Sequence, residues 1–69
     1  MNSVNSENNR IIRLQEVKAR TGRSRSSIYV DMEAGKFPQA IKLGERAVGW
    51  LESEINDWLN AKIEMRSSK

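Results

Sequence analysis

The chain has no cysteine and no histidine among its 69 residues. Disulfide stapling is therefore excluded, as is a zinc site built on thiolate or imidazole ligands. Nucleophilic catalysis loses its commonest participants by the same absence, and no Lys–carboxylate pair recurs in a pattern that suggests a pocket. Gly44 stands alone, with no phosphate-cradling glycine motif around it. The expectation is a protein that is not an enzyme, with no catalytic residues, no cofactor and no metal. No apolar run approaches the roughly 18 residues of a membrane helix, and no signal-peptide pattern opens the chain, so no membrane partner and a cytoplasmic location are expected.

Aromatic residues are few, with two Trp, one Tyr and one Phe. A chain this short makes one domain and buries only about 60% of its unfolded surface, so each large apolar residue matters. Trp50, Trp58, Phe37 and the aliphatics must supply the core. The formal charge of +3 is modest, but its distribution is not even. Residues 10–46 carry nine Lys or Arg against four Asp or Glu, whereas residues 47–69 carry three against four. Lys18, Arg20, Arg23 and Arg25 fall in one acid-free stretch. Positive charge gathers in the first half, as a phosphate-facing surface requires, although charge runs also serve simply to solvate a surface.

Residues 1–9 are rich in Asn and Ser and read as a disordered N-terminal tail. Arg10 to Arg13 reads as an extended lead-in that docks Ile11 and Ile12. Leu14 to Arg20 reads as a short helix with Leu14 and Val17 on one face, and Gly22 follows as a left-handed C-terminal residue. Ser24 is placed to N-cap a second helix that runs to about Ala34, with Ile28 and Met32 as its buried stripe. Ser26, Val30 and Glu33 point away from that stripe, and Gly35 ends the helix. Lys36-Phe37-Pro38 is a connector, with Phe37 inserted into the core. From Gln39 the period changes to two: Ile41 and Leu43 alternate with Lys42, a turn follows at Gly44-Glu45-Arg46, and Ala47 to Trp50 returns as a β-hairpin. The final helix is expected from about Glu52 to Ile63, with Leu51, Ile55, Trp58 and Leu59 as its stripe. The predicted domain spans residues 10–64, followed by a frayed tail over 65–69.

The order helix, turn, helix, hairpin, helix describes a winged helix-turn-helix: mainly α, with a small β-hairpin wing and a C-terminal helix. In that architecture the second helix presents its N-terminal end to the DNA major groove. Arg23 and Arg25 can pair with phosphates or reach guanine edges, or remain solvated. Ser24, Ser26 and Ser27 are small donor–acceptors at the helix start, suited to close contact and equally to helix initiation. Tyr29 can bond a phosphate or pack on the first helix. Val30 can meet a thymine methyl or be an incidental exposed valine. Lys42 and Arg46 make the hairpin a second basic projection, and Arg46 has an alternative as the ion-pair partner of Glu45 or Glu16. Trp50 and Trp58 fit the core better than a nucleobase platform.

The segments Arg13-Leu14-Gln15-Glu16-Val17, Thr21-Gly22-Arg23-Ser24-Arg25-Ser26-Ser27-Ile28-Tyr29 and Gly35-Lys36-Phe37-Pro38 resemble the AlpA family of prophage regulatory proteins. So do Ile41-Lys42-Leu43-Gly44, Arg46-Ala47-Val48-Gly49-Trp50 and Glu54-Ile55-Asn56-Asp57-Trp58-Leu59. The resemblance covers residues 11–60 and rests on the order and spacing of six pieces. It implies a fold related to MerR-like winged helices and phage excisionases. It also implies a transcriptional regulator of a prophage or genomic island, often acting on an integrase gene. By that analogy Arg23, Arg25, Ser26, Ser27 and Tyr29 belong to the DNA-reading helix, and Lys42 and Arg46 to the wing.

The expected partner is double-stranded DNA, bound by a dimer or by several copies on adjacent sites. An excisionase that bends attachment-site DNA needs the same winged helix. A protein-interaction module docking through the Leu51, Ile55, Trp58 and Leu59 stripe is the reading from another class.

Overall fold

The computed structural model describes residues 10–67, without the side chain of Ser67; the tail expected over residues 1–9 lies outside the described residues. Six elements follow one another: β1 (Ile11–Ile12), α1 (Leu14–Thr21), α2 (Arg25–Glu33), β2 (Ile41–Lys42), β3 (Val48–Leu51) and α3 (Glu52–Ser67). The expected helix, turn, helix, hairpin, helix order is present, as a winged helix-turn-helix requires. One strand is added to it.

The two helix ends in the turn form for local reasons. At the end of α1, Gly22 adopts φ 70°, and its N–H donates to the Lys18 carbonyl at 2.8 Å. A side chain at that φ would crowd its own carbonyl, so glycine is the residue that fits. Ser24 then sits in extended backbone, and its Oγ accepts from the Ser27 N–H at 3.1 Å, which opens α2. At the far end of α2, the Gly35 N–H donates to Met32 and the Lys36 N–H to Asp31, the paired bonds of a Schellman stop.

Ile11 and Ile12 do more than dock. They pair antiparallel with Leu51 and Trp50, so the sheet has three strands in the order β1-β3-β2. On the other side of β3, Ile41 pairs with Gly49 and Lys42 with Val48. Paired residues share a face. Ile12, Trp50 and Val48 therefore look inward, and Ile11, Leu51, Gly49 and Ile41 outward. Leu51, grouped by its periodicity with the α3 stripe, closes β3 instead. Gly49 is buried, and a Cβ there would strike the Ile11 γ2-methyl and come within 3.1 Å of the Ile12 carbonyl oxygen. The side chains of Ile41 and Leu43 remain exposed on the hairpin, so their alternation reflects the strand rather than the core.

Ile12, Val17, Ile28, Phe37, Trp50 and Ile55 form the core, with Leu14, Tyr29, Met32, Trp58 and Leu59 packed around it. The connector between α2 and β2 is fixed by both tryptophans. Trp50 Nε1 donates to the Pro38 carbonyl at 3.1 Å and Trp58 Nε1 to the Lys36 carbonyl at 2.9 Å. Phe37 meets Trp58 edge-on, with ring centroids 4.9 Å apart. Both indoles thus satisfy their N–H, Trp50 fully buried and Trp58 partly so, the usual condition for burying Trp.

Helix α3 continues about one turn beyond Ile63, through Met65 and Arg66, to Ser67. The amphipathic stripe stops earlier, but Ala61, Lys62, Glu64, Met65 and Arg66 are strong helix formers and carry the backbone on. Residues 60–66 are exposed. On the surface between α1 and α3, the Arg20 guanidinium binds Glu16 at 2.7 Å and Glu52 at 2.8 Å, while Arg10 lies 3.7 Å from Glu52. Hydrogen bonds to Glu16 and then Glu52 raise the Arg20 pKa further above its already high value.

Candidate nucleic-acid interface

A helix of 3.6 residues per turn divides α2 into four faces. Ile28 is buried and Met32 half-buried against the core. Arg25 and Tyr29 share one flank, Ser27 and Asp31 the other. Ser26, Val30 and Glu33 are exposed on the outer face, with Val30 63% accessible. The outer face is therefore small and uncharged for its first turn and a half, with its only carboxylate at the C-terminal end. That shape allows the N-terminal end of α2 to approach a groove closely.

The Arg25–Tyr29 flank opens into a cleft shared with the start of α1 and the hairpin. Its walls are Arg13, Leu14, Gln15, Arg25, Tyr29, Arg46 and Val48. Three arginines and no carboxylate line it. Arg13 is anchored by a hydrogen bond from Nε to the Val48 carbonyl at 3.0 Å, which ties the beginning of α1 to the wing strand. Arg25 lies over the Tyr29 ring at 5.6 Å. Tyr29 in turn meets Trp50 edge-on at 6.4 Å, so its ring packs inward while the residue, only partly buried, also lines the cleft. Arg46 is exposed at the hairpin tip, and Lys42, paired with Val48, stands beside the cleft on the outer strand. Among the described residues none of Arg13, Arg25, Lys42 and Arg46 forms an ion pair. Glu16, one of the two acids that could have paired with Arg46, is bound to Arg20 instead.

Of the residues expected from the sequence, Arg25, Tyr29 and Arg46 are brought together in the cleft, while Ser26 and Val30 lie exposed on the outer face of α2 and Lys42 is exposed on the outer strand. Ser24 and Ser27 are partly used in the cap: the Ser24 hydroxyl donates to Ser27 Oγ at 3.1 Å and accepts from the Ser27 N–H. Arg23 departs furthest from the sequence expectation. Its guanidinium turns back along α2 to an ion pair with Asp31 and lies 5.8 Å over the Trp58 ring of α3. Its Nε is buried. Arg13, Leu14, Gln15 and Val48 are cleft residues that sequence reasoning did not assign to the interface, and Arg13 and Gln15 are the polar ones among them. The available signal was that Arg13 opens the first of the six recognisable segments, but a lone arginine before a short helix looks solvated until its strand partner is known.

Residues 10–63 match the family described as prophage CP4-57 regulatory protein (AlpA). The chain belongs to the AlpA family. Two relatives agree with that membership. The chain is 40% identical over 57 residues to an uncharacterized protein, ORF88, of Enterobacteria phage P4, covering 83% of this chain. It is 36% identical over 62 residues to the DNA-binding transcriptional activator AlpA of Escherichia coli (strain K12), covering 81% of this chain. The chain spans 65% of the length of the phage P4 protein and 89% of that of the Escherichia coli protein. Every cleft residue lies inside the part matched to the AlpA family. No helix among the described residues is long and apolar enough to cross a membrane.

Proposed function

We propose that this AlpA-family chain is a sequence-specific double-stranded DNA-binding regulator of transcription, carried by a prophage or genomic island and acting on an integrase gene. The observation that carries the reading is the acid-free cleft where Arg13, Arg25 and Arg46 converge between the second helix, the first helix and the wing. Arginine forks pair well with phosphate oxygens and guanine edges, and three of them around one concave surface match the curvature of a backbone better than a scattered charge. The outer face of α2, with Ser26 and Val30, enters the major groove. The wing, with Lys42 and Arg46, lies along the adjacent backbone or minor groove. The name of the Escherichia coli relative, a DNA-binding transcriptional activator, supports the same reading.

A single module of this size covers about 600–1,000 Å² of protein surface, so one copy binds weakly and a dimer or an array on adjacent sites supplies the affinity. The Arg25→Ala/Arg46→Ala double variant tests the assignment. Both side chains are exposed, so circular dichroism and melting temperature should be unchanged while affinity for a target duplex falls by at least about tenfold. Full retention of affinity by a folded double variant would remove these arginines from the interface. Strong cooperative bending of attachment-site DNA, without effect on a promoter, would transfer the function to excisionase-type architecture.

A further inference from the structure

Arg23 has the position of a DNA contact and the surroundings of an internal brace. It stands immediately before the N-cap of α2, between Gly22 and Ser24, at the point where a basic residue would meet a phosphate. Its side chain instead pairs with Asp31, eight residues on, a carboxylate on the flank of the helix facing away from the cleft. There it lies over the face of Trp58. Its side chain is only one-third exposed, and Asp31 less than one-quarter. Trp58 is itself fixed at both ends of its ring system, by Nε1 to the Lys36 carbonyl and by edge contact with Phe37. The far terminus of α2 belongs to the same assembly, because the Lys36 N–H donates to the Asp31 carbonyl.

We infer that Arg23 is a positioning residue rather than a DNA contact, tying the turn before the recognition helix to Asp31 in that helix's last turn and to Trp58 of α3. The inference rests on the DNA-binding reading for its consequence but not for its geometry. Without Arg23, the loop from Thr21 to Ser24 is held by Gly22 and the Ser24 cap, both of which govern backbone conformation and neither of which reaches α3. The helix still forms, but its angle to the wing is less defined. Arg25 and Ser26, at its N-terminal end, then reach the groove with a wider spread of orientations. Specific recognition needs that alignment, because base-edge contacts are directional; phosphate attraction does not. The brace therefore acts on discrimination between sequences more than on electrostatic affinity.

The test compares wild type, Arg23→Ala, Arg23→Lys, Asp31→Asn, the Arg23→Ala/Asp31→Asn double variant and Arg25→Ala in titrations of a target duplex and a shuffled duplex at several salt concentrations. Leu59→Ala provides a destabilised control, and each variant is assayed well below its melting temperature. Arg23→Ala should keep the wild-type dependence of log affinity on log salt, whereas Arg25→Ala should lose about 0.9 of the slope, one phosphate contact. Arg23→Ala and Asp31→Asn should each lower the ratio of specific to shuffled binding several-fold, and together no further than either alone. Leu59→Ala should leave that ratio unchanged, and Arg23→Lys should restore part of it by keeping the ion pair. A slope reduced in Arg23→Ala as in Arg25→Ala, with melting temperature unaltered, would overturn the inference and make Arg23 a phosphate contact. If wild type binds neither duplex, the DNA reading fails separately. The brace is then decided by whether the melting temperatures of Arg23→Ala, Asp31→Asn and the double variant are lowered and non-additive.

Discussion

At the scale of single residues, the Ser24 Oγ accepts the Ser27 N–H at 3.1 Å to open α2, and Trp50 lies fully buried at the centre of the core. Ser24, Gly22, Gly35 and Phe37 occupy the roles their neighbours in the sequence prescribe. Ser24→Ala should cost about 1 kcal/mol of unfolding free energy, the usual worth of an N-cap hydroxyl. Equilibrium urea denaturation would check it, and no loss would mean that the capping bond contributes nothing. Trp50→Ala should cost about 3–5 kcal/mol, because the ring is fully buried among Ile12, Val17 and Ile28 and also bonds the connector. In a domain this small that is enough to abolish cooperative melting. Arg13 and Arg23 were beyond sequence reasoning for the same reason as each other. Each has a side chain long enough to reach solvent or protein, and the partner that decides, the Val48 carbonyl or the Asp31–Trp58 pair, is set by packing.

Among the elements, the helices were legible from period, caps and glycine stops, and the wing from its change of period at Gln39. β1 was legible only as an extended lead-in docking Ile11 and Ile12; its pairing was not, because a two-residue strand has no periodicity and its partners Trp50 and Leu51 are some forty residues away. Its presence makes Gly49 the centre strand's point of closest approach to a neighbour. Gly49→Ala should therefore destabilise the domain by about 1–3 kcal/mol, since Ile11 is β-branched and cannot simply swing its γ2-methyl aside. Gly22→Ala should cost about 1–2 kcal/mol for a different reason, a positive φ forced on a residue with a Cβ. Thermal melts of the two variants would separate these causes, because only Gly49→Ala should also loosen β1. Faster amide exchange at Glu52, whose N–H donates to the Arg10 carbonyl, is the sign to look for, and unchanged exchange would contradict it. The extra turn of α3 was missed because the apolar stripe ends before helix propensity does.

For the molecule as a whole, three of the first-half cations come together free of acids, whereas Arg10, Arg20 and Arg23 are paired with carboxylates and Lys36 lines a pocket with Glu54 and Asp57. The arginines at the beginning of α1, the beginning of α2 and the wing tip meet in one cleft, while Glu54 and Asp57 lie with Phe37 and Trp58 in another. The raised pKa of Arg20 puts its contribution to stability at full strength below its ordinary value and removes it only as pH rises through the raised one, far above any working pH. With no histidine in the chain, DNA affinity should be flat between about pH 6 and pH 8, and a steep change across that window in a fixed-salt titration would contradict this electrostatic account. The central claim is that the α2–wing face recognises a particular DNA sequence. Fluorescence anisotropy tests it most directly, using one labelled duplex from the region upstream of the nearest integrase gene and one shuffled duplex, each at low and moderate salt. The account predicts binding at least about a hundredfold tighter to the first, and about five phosphate contacts should give log affinity a slope near −4 to −5 against log salt. Binding to neither duplex, or affinity indifferent to salt, would contradict it.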